Sequence, residues 1–185
     1  MKSVSQCFMS FKGGVLLLLL LLLSGCMSSN RYVIIDPSTA ALRNYSVLEV
    51  RDFRSNLSEP EAIALAGEFP SMIVSGINDY NARHSDARLF SEVTRMKPGT
   101  DRVLVMESTL LSYEKGSRAA RYFIGFGAGK AYCTIQSVFI DKTTGKQVLK
   151  ANFEGELGGG FFGGTSKQAA REVVDSIITY LKKNY

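Results

Sequence analysis

The chain has one histidine, His84, and three cysteines, Cys7, Cys26 and Cys133, in 185 residues. A single imidazole in the polar stretch Asn81 to Arg88 leaves no second histidine for a metal site and no evident base for a nucleophile. Cys7 lies in a leader and Cys26 in an anchor motif, so Cys133 alone stays a free thiol and no intramolecular disulfide can form. An exported domain of this kind depends on its hydrophobic core, which the chain is long enough to supply. Cys133 lies in an apolar stretch and reads as a small buried hydrophobe rather than a nucleophile. Clustered positive charge is also missing. The formal charge of +5 falls to +3 once Lys2 and Lys12 leave with the leader, and the remaining Arg and Lys are interspersed with Asp and Glu. That pattern excludes a basic nucleic-acid face, so no nucleic acid is expected as partner.

No hydrophobic run is long enough to stay in a membrane. Val15 and the leucines Leu16 to Leu23 would span about 14 Å as a helix, against a hydrocarbon core of about 30 Å. Lys2 and Lys12 before that run and small residues after it make the three-part plan of an export signal. The run ends in Leu23-Ser24-Gly25-Cys26, which matches the lipobox of bacterial lipoproteins. There diacylglycerol is attached to the cysteine thiol and the leader is cut just before it. The sequence therefore predicts a signal peptide over 1–25 and a lipid-bearing Cys26. Two or three acyl chains hold a protein firmly, because each buried methylene contributes about 0.8 kcal/mol. Met27 and Ser28 follow with no aspartate, which by resemblance to sorting in enteric bacteria implies the outer membrane, with the domain facing the periplasm.

Residues 26–44 read as lipidated cysteine and polar tether, with Asp36-Pro37-Ser38 as a break. Residues 45–185 read as one globular domain. Val47 to Phe53 suits a strand, and Ser58-Glu59-Pro60-Glu61 a helix start capped by Ser58. An apolar stripe of Ile63, Ala66, Met72, Ile73 and Ile77 follows, with Pro70 expected to kink or divide the helix. Leu89 to Val93, Arg102 to Tyr113, Ala131 to Asp141 and Lys146 to Gly155 are further strands, the last two joined by the turn Lys142-Thr143-Thr144-Gly145. Thr165 caps a final helix in which Ala169, Ala170, Val173, Val174, Ile177, Ile178 and Leu181 recur at helical spacing. This order predicts an α+β fold: one mixed, largely antiparallel sheet of four or five strands with two main helices packed on it.

Arg102-Val103-Leu104-Val105, Gly116 to Tyr122, Gly125-Phe126-Gly127-Ala128-Gly129 and Asp141 to Lys146 resemble an uncharacterised family of bacterial lipoproteins, the domain-of-unknown-function family numbered forty-four-ten. The likeness covers roughly residues 45 to 182 and brings no activity with it. More loosely, the element order is similar to the globular domain of the curli-secretion lipoprotein and to the amino-terminal domain of the TolB periplasmic protein. Both resemblances imply work through protein contacts at the cell envelope.

Gly125 to Lys130 is glycine-rich, yet Ile124 and Ala131 break a P-loop and Lys130 breaks the dinucleotide fingerprint, so no cofactor is implied. Ala120, Tyr122, Ile124, Phe126 and Ala128 alternate with a period of two. They read as an edge strand, a protein interface or a membrane-inserted strand. Phe161 and Phe162 stand among glycines before the last helix, either as a lid on the core or as a contact surface. Tyr122, Ile124, Phe126, Phe161 and Phe162 are thus the candidate partner contacts. Glu154 and Glu156 share one side of a strand and could pair as in glycosidases, but such alternation usually marks a solvated face. No residue qualifies as catalytic and no metal site is expected. The sequence therefore points to a membrane-anchored, non-catalytic interaction module that binds an envelope protein or itself. An oligomeric channel-forming or secretion-related lipoprotein and an envelope-polymer hydrolase are the alternatives.

Overall fold

The computed structural model describes residues 31–114, 132–156 and 166–185. In chain order they form β1 (Arg31–Asp36), a 3-10 turn (Leu42–Asn44), β2 (Val47–Val50), β3 (Arg54–Ser55), α1 (Pro60–Arg83), β4 (Glu92–Thr94), β5 (Val103–Glu114), β6 (Tyr132–Asp141), β7 (Gln147–Glu156) and α2 (Ser166–Asn184). The class is α+β, as the sequence predicts, but the described residues make seven strands, not four or five. The sheet runs β1-β7-β6-β5-β2-β4, with the short β3 also on β5. β5, β6, β7 and β1 pair antiparallel, whereas β2 is parallel to both β4 and β5, and β3 is parallel to β5.

The miscount has identifiable causes. β3 has only two residues, too few for a period of two to show, while the strand read over Leu89 to Val93 is present as the three-residue β4. β1 lies inside the stretch read as a tether. Arg31-Tyr32-Val33-Ile34-Ile35-Asp36 pairs with β7 from Arg31 opposite Glu154 to Asp36 opposite Lys150. Tyr32 and Ile34 pack against the core while Val33 and Ile35 stay exposed. The described sheet thus includes Arg31–Asp36.

Both helices lie on one face of the sheet. Leu104, Met106 and Leu110 of β5, Ile135 and Phe139 of β6 and Phe153 of β7 point toward them and are fully buried with Phe69, Ile73 and Ile77 of α1 and Val173 and Ile177 of α2. Alternation along each strand places these residues on one side. α1 starts differently from the expectation. Its N-cap is Glu59, in an extended conformation with no side-chain capping bond, and Pro60 occupies the first turn, where its missing N–H costs nothing. Ser58 is not the cap. Pro70 is buried inside the helix without dividing it; apolar packing outweighs a local penalty of about 3 kcal/mol. The buried stripe runs through Ala62, Leu65, Ala66, Phe69, Ile73 and Ile77, so Ile63 faces solvent at 53% exposure. α2 keeps the stripe read from sequence, with Ala169, Ala170, Val173, Val174, Ile177 and Leu181 all buried; its cap at Thr165 lies outside the described residues.

Candidate functional site

Among the described residues, the opposite face of the sheet carries no helix. There Val47 of β2 and Val103 and Val105 of β5 form a second, small buried cluster against Ile140. Glu49 stands on the same side of β2 as Val47, two residues on, opposite Val105 in the register, and is only 5% exposed. A carboxylate in such a place must be paired, since an isolated buried charge is costly. Its partners come from three separate elements. Lys142 Nζ, from the β6–β7 turn, lies 2.6 Å from Glu49 Oε2. The backbone N–H of Lys97, from the loop after β4, donates to the same oxygen at 3.2 Å, and Arg51 Nε donates to Oε1 at 3.2 Å. Burial pushes the Glu49 carboxyl up, but the hydrogen bonds from Lys142, Arg51 and Lys97 outweigh it, and the net shift is below the ordinary glutamate value.

The network extends outward. Arg51 Nη1 reaches Glu107 Oε1 on β5 at 2.5 Å, Lys97 pairs with Glu92 and Arg95 with Asp52. Arg95 Nε also donates to the Val50 carbonyl at 3.1 Å, tying the loop after β4 to β2. Beside these pairs is a cleft of about 710 Å³ whose lining includes Arg51, Phe53, Arg54, Arg95, Met96 and Gln136. The turn that supplies Lys142 is itself fixed. Asp141 Oδ1 accepts the N–H groups of Thr143 and Thr144 at 2.8 and 2.9 Å. Tyr45 Oη donates to Asp141 Oδ2 at 3.0 Å, and burial, with Asp141 beside it, pushes the Tyr45 phenol up to about 12.

The sequence did not single out this constellation. One signal was present: Glu49 interrupts Val47-Leu48-Glu49-Val50, a run otherwise apolar. The other members, Lys97 and Lys142, lie 48 and 93 positions away and only the fold unites them. The residues singled out from sequence fall elsewhere. Leu23, Ser24, Gly25, Cys26, Tyr122, Ile124, Phe126, Phe161 and Phe162 lie outside the described residues. Cys133 is buried on the helix side of β6, and burial pushes its thiol up to about 12. His84 ends α1, its ring stacked on Tyr80 with centroids 4.2 Å apart and Nδ1 2.9 Å from the Tyr80 carbonyl. Glu154 stands half-buried on the helix-free face, opposite Arg31 and Thr134.

The family model described as Domain of unknown function (DUF4410) matches residues 80–157, within the stretch over which the sequence resembles that family. No curated protein matches the chain. Among solved structures, the PelC dodecamer from Paraburkholderia phytofirmans is similar over 82% of this chain and 95% of its own, at 13% identity and a TM-score of 0.51. The hypothetical protein CT253 from Chlamydia trachomatis is similar over 76% of this chain and 97% of its own, at 9% identity and a TM-score of 0.49. The lipoprotein GNA1162 from Neisseria meningitidis is similar over 75% and 99%, at 10% identity and a TM-score of 0.42. At such identities the likeness is one of fold alone.

Proposed function

We propose that this chain is an envelope lipoprotein, held to the periplasmic side of the outer membrane by lipid on Cys26, that works without catalysis by binding another envelope protein through the helix-free face of its sheet. The observation that carries the reading is the state of the charges on that face. Glu49 has both oxygens occupied and titrates below its ordinary value, so at neutral pH it is neither a proton donor nor a free base. Arg51, Arg95, Lys97 and Lys142 are spent on carboxylates or backbone carbonyls. What results is a stiff, charge-balanced polar surface around a cleft, suited to a wet protein contact. A hydrolase would need a carboxyl held protonated or a base left open.

One observation favours self-association as a second reading. The PelC protein that shares this fold is a dodecamer by its own description, and among the described residues the sheet ends in β1 and β4, each paired on one side. Unpaired strand edges are natural contact lines between copies.

The test is affinity purification of the lipidated protein from its native membrane, with light scattering of the purified material. Arg54 lines the cleft and is exposed, so Arg54→Glu is expected to lose the partner while folding normally. A partner retained by Arg54→Glu and by Met96→Asp overturns the assignment of this face. A single large homogeneous mass without other proteins favours the second reading, and hydrolysis of an envelope polymer by the purified protein overturns both.

A further inference from the structure

The two edges of the sheet are protected unequally. β4 has three residues, Glu92–Thr94; Glu92 is paired with Lys97, and Arg95 folds back from its end to the Val50 carbonyl. A short, charged edge of this kind discourages further pairing. β1 has six residues, with no charge between Arg31 and Asp36 and no proline before Pro37. Among the described residues, only β7 pairs with it. Val33 and Ile35 stand out from it at 55% and 41% exposure.

The side chains of β1 sort by face. Tyr32 and Ile34, opposite Phe153 and Ala151 of β7, lie on the helix side and are only half-buried. Arg31 and Val33, opposite Glu154 and Asn152, lie on the helix-free side. The register shifts between Ile34 and Asp36, so that Ile35 and Asp36 together face Lys150. This bulge brings Asp36 to the same side as Arg31. The helix-free side of β1 therefore has a cation at one end, an anion at the other and apolar side chains between them.

A second β1, laid antiparallel along this edge, complements both faces at once. With Val33 opposite Val33 of the second copy, Tyr32 meets Ile34 on the helix side. On the other side Arg31 meets the bulge at Ile35 and Asp36, and two-fold symmetry repeats both contacts. Neighbouring registers do worse. Centring the pair on Tyr32 sets Arg31 against Val33 and separates the charges; centring it on Ile34 sets Tyr32 against Pro37, which has no N–H to give.

We infer that two copies of this chain join antiparallel along β1, Val33 on Val33, into one continuous sheet with the helices of both copies on one side. The inference rests on the self-association reading and names its contact. None of the residues lining the cleft belongs to β1 or β7, so the cleft of each copy stays open to another protein.

Thiol cross-linking of the full chain in its own membrane reads the register. Directly opposite Cβ atoms stand about 5 Å apart, within reach of a short bis-maleimide. Cys133 is buried, and the wild type sets the background. Val33→Cys is expected to give a cross-linked dimer, and Thr94→Cys on the β4 edge to give none. Charge reversal tests the two ends by light scattering of the purified protein. Arg31→Asp alone and Asp36→Arg alone each set like charges together at both ends, and each should weaken self-association about tenfold. An equal mixture of the two variants restores opposite charges at both ends and should recover the dimer. Changed contacts within one copy, to Glu154 or Lys150, would not be repaired by mixing. Cross-linking of Val33→Cys to Thr94→Cys in a mixed sample, or single variants that self-associate like the wild type, overturns the β1 pairing and leaves self-association standing. A different protein cross-linked at Val33 also overturns it. A protein that is monomeric at every concentration overturns both the pairing and the self-association reading.

Discussion

The side-chain amide of Asn81, near the end of α1, stands in for a strand partner of Leu89: its Oδ1 accepts the Leu89 N–H at 2.7 Å and its Nδ2 donates to the Leu89 carbonyl at 2.8 Å. Both residues are buried, and the pair closes the loop between α1 and β4. Asn81→Ala leaves a buried N–H and a buried carbonyl unsatisfied, and each such group costs about 1–3 kcal/mol. The expected loss in a denaturant titration of the mature protein is about 3 kcal/mol. Asn81→Asp keeps the acceptor and loses the donor, so it should also destabilise the fold.

Gly155 and Gly67 should respond to alanine with opposite signs. A methyl group at Gly155 on β7 would collide with the backbone carbonyl of Ala169 and lie 2.8 Å from the backbone nitrogen of Val173 on α2. Backbone cannot yield as a side chain does, so Gly155→Ala should cost about 1–3 kcal/mol or more through overpacking. Gly67, exposed within α1, has no atom within 4 Å of that position, and Gly67→Ala should add about 0.5–1 kcal/mol. Thermal melting of the two variants compares them directly.

Glu49 makes stability depend on acid pH. Its folded carboxyl titrates below the ordinary value, so the native state prefers the charged form. That contribution is fully present above the unfolded pKa, about 4.3 for glutamate, and is lost as pH falls through the folded value. Glu49→Gln should destabilise the protein by about 3 kcal/mol at pH 7, because Lys142 is left without its buried carboxylate. It should also flatten the stability curve below pH 5. Tyr45 acts at the other end of the scale: with its phenol pushed up to about 12, its contribution is present below pH 10 and fades as pH rises from there toward 12. Unfolding titrations across pH for wild type and Glu49→Gln would expose a steeper acid slope in the mutant if the sign is wrong.

Cys133 should be chemically silent in the native state. It is 1% exposed and its thiol is pushed up to about 12 by burial, while the reactive species is the thiolate. An aromatic disulfide reagent at pH 8 should modify it only at the rate of unfolding, and addition of denaturant should make the reaction immediate. Rapid modification of the native mature protein would place Cys133 on an accessible surface.

On the proposed lipidation of Cys26, Cys26→Ala should abolish lipid attachment and leave the precursor uncleaved, since in that reading the thiol would carry the diacylglycerol and the dedicated peptidase would require the lipidated cysteine. Labelling with a radioactive fatty acid and the mobility of the product read both effects, and normal labelling in the mutant would remove the anchor assignment.

Local pattern was legible without the fold. The recurrence of Ala169, Val173, Ile177 and Leu181 every four residues places α2, and the alternation of β5, β6 and β7 places the long strands, because periods of 3.6 and 2 are written in consecutive residues. The resemblance of Leu23-Ser24-Gly25-Cys26 to a lipobox rests on the same kind of local order. β1 was missed because its core contacts, Tyr32 and Ile34, follow a polar stretch and precede Asp36-Pro37-Ser38, which reads as a break. The phase of α1 was misjudged at Ile63, since only packing against the sheet decides which of several apolar residues turns inward. The Glu49–Lys97–Lys142 cluster was beyond any local signal. Strand pairing across dozens of residues brings it together, and that pairing is decided by burying one continuous apolar face beneath two helices, a property of the whole sheet.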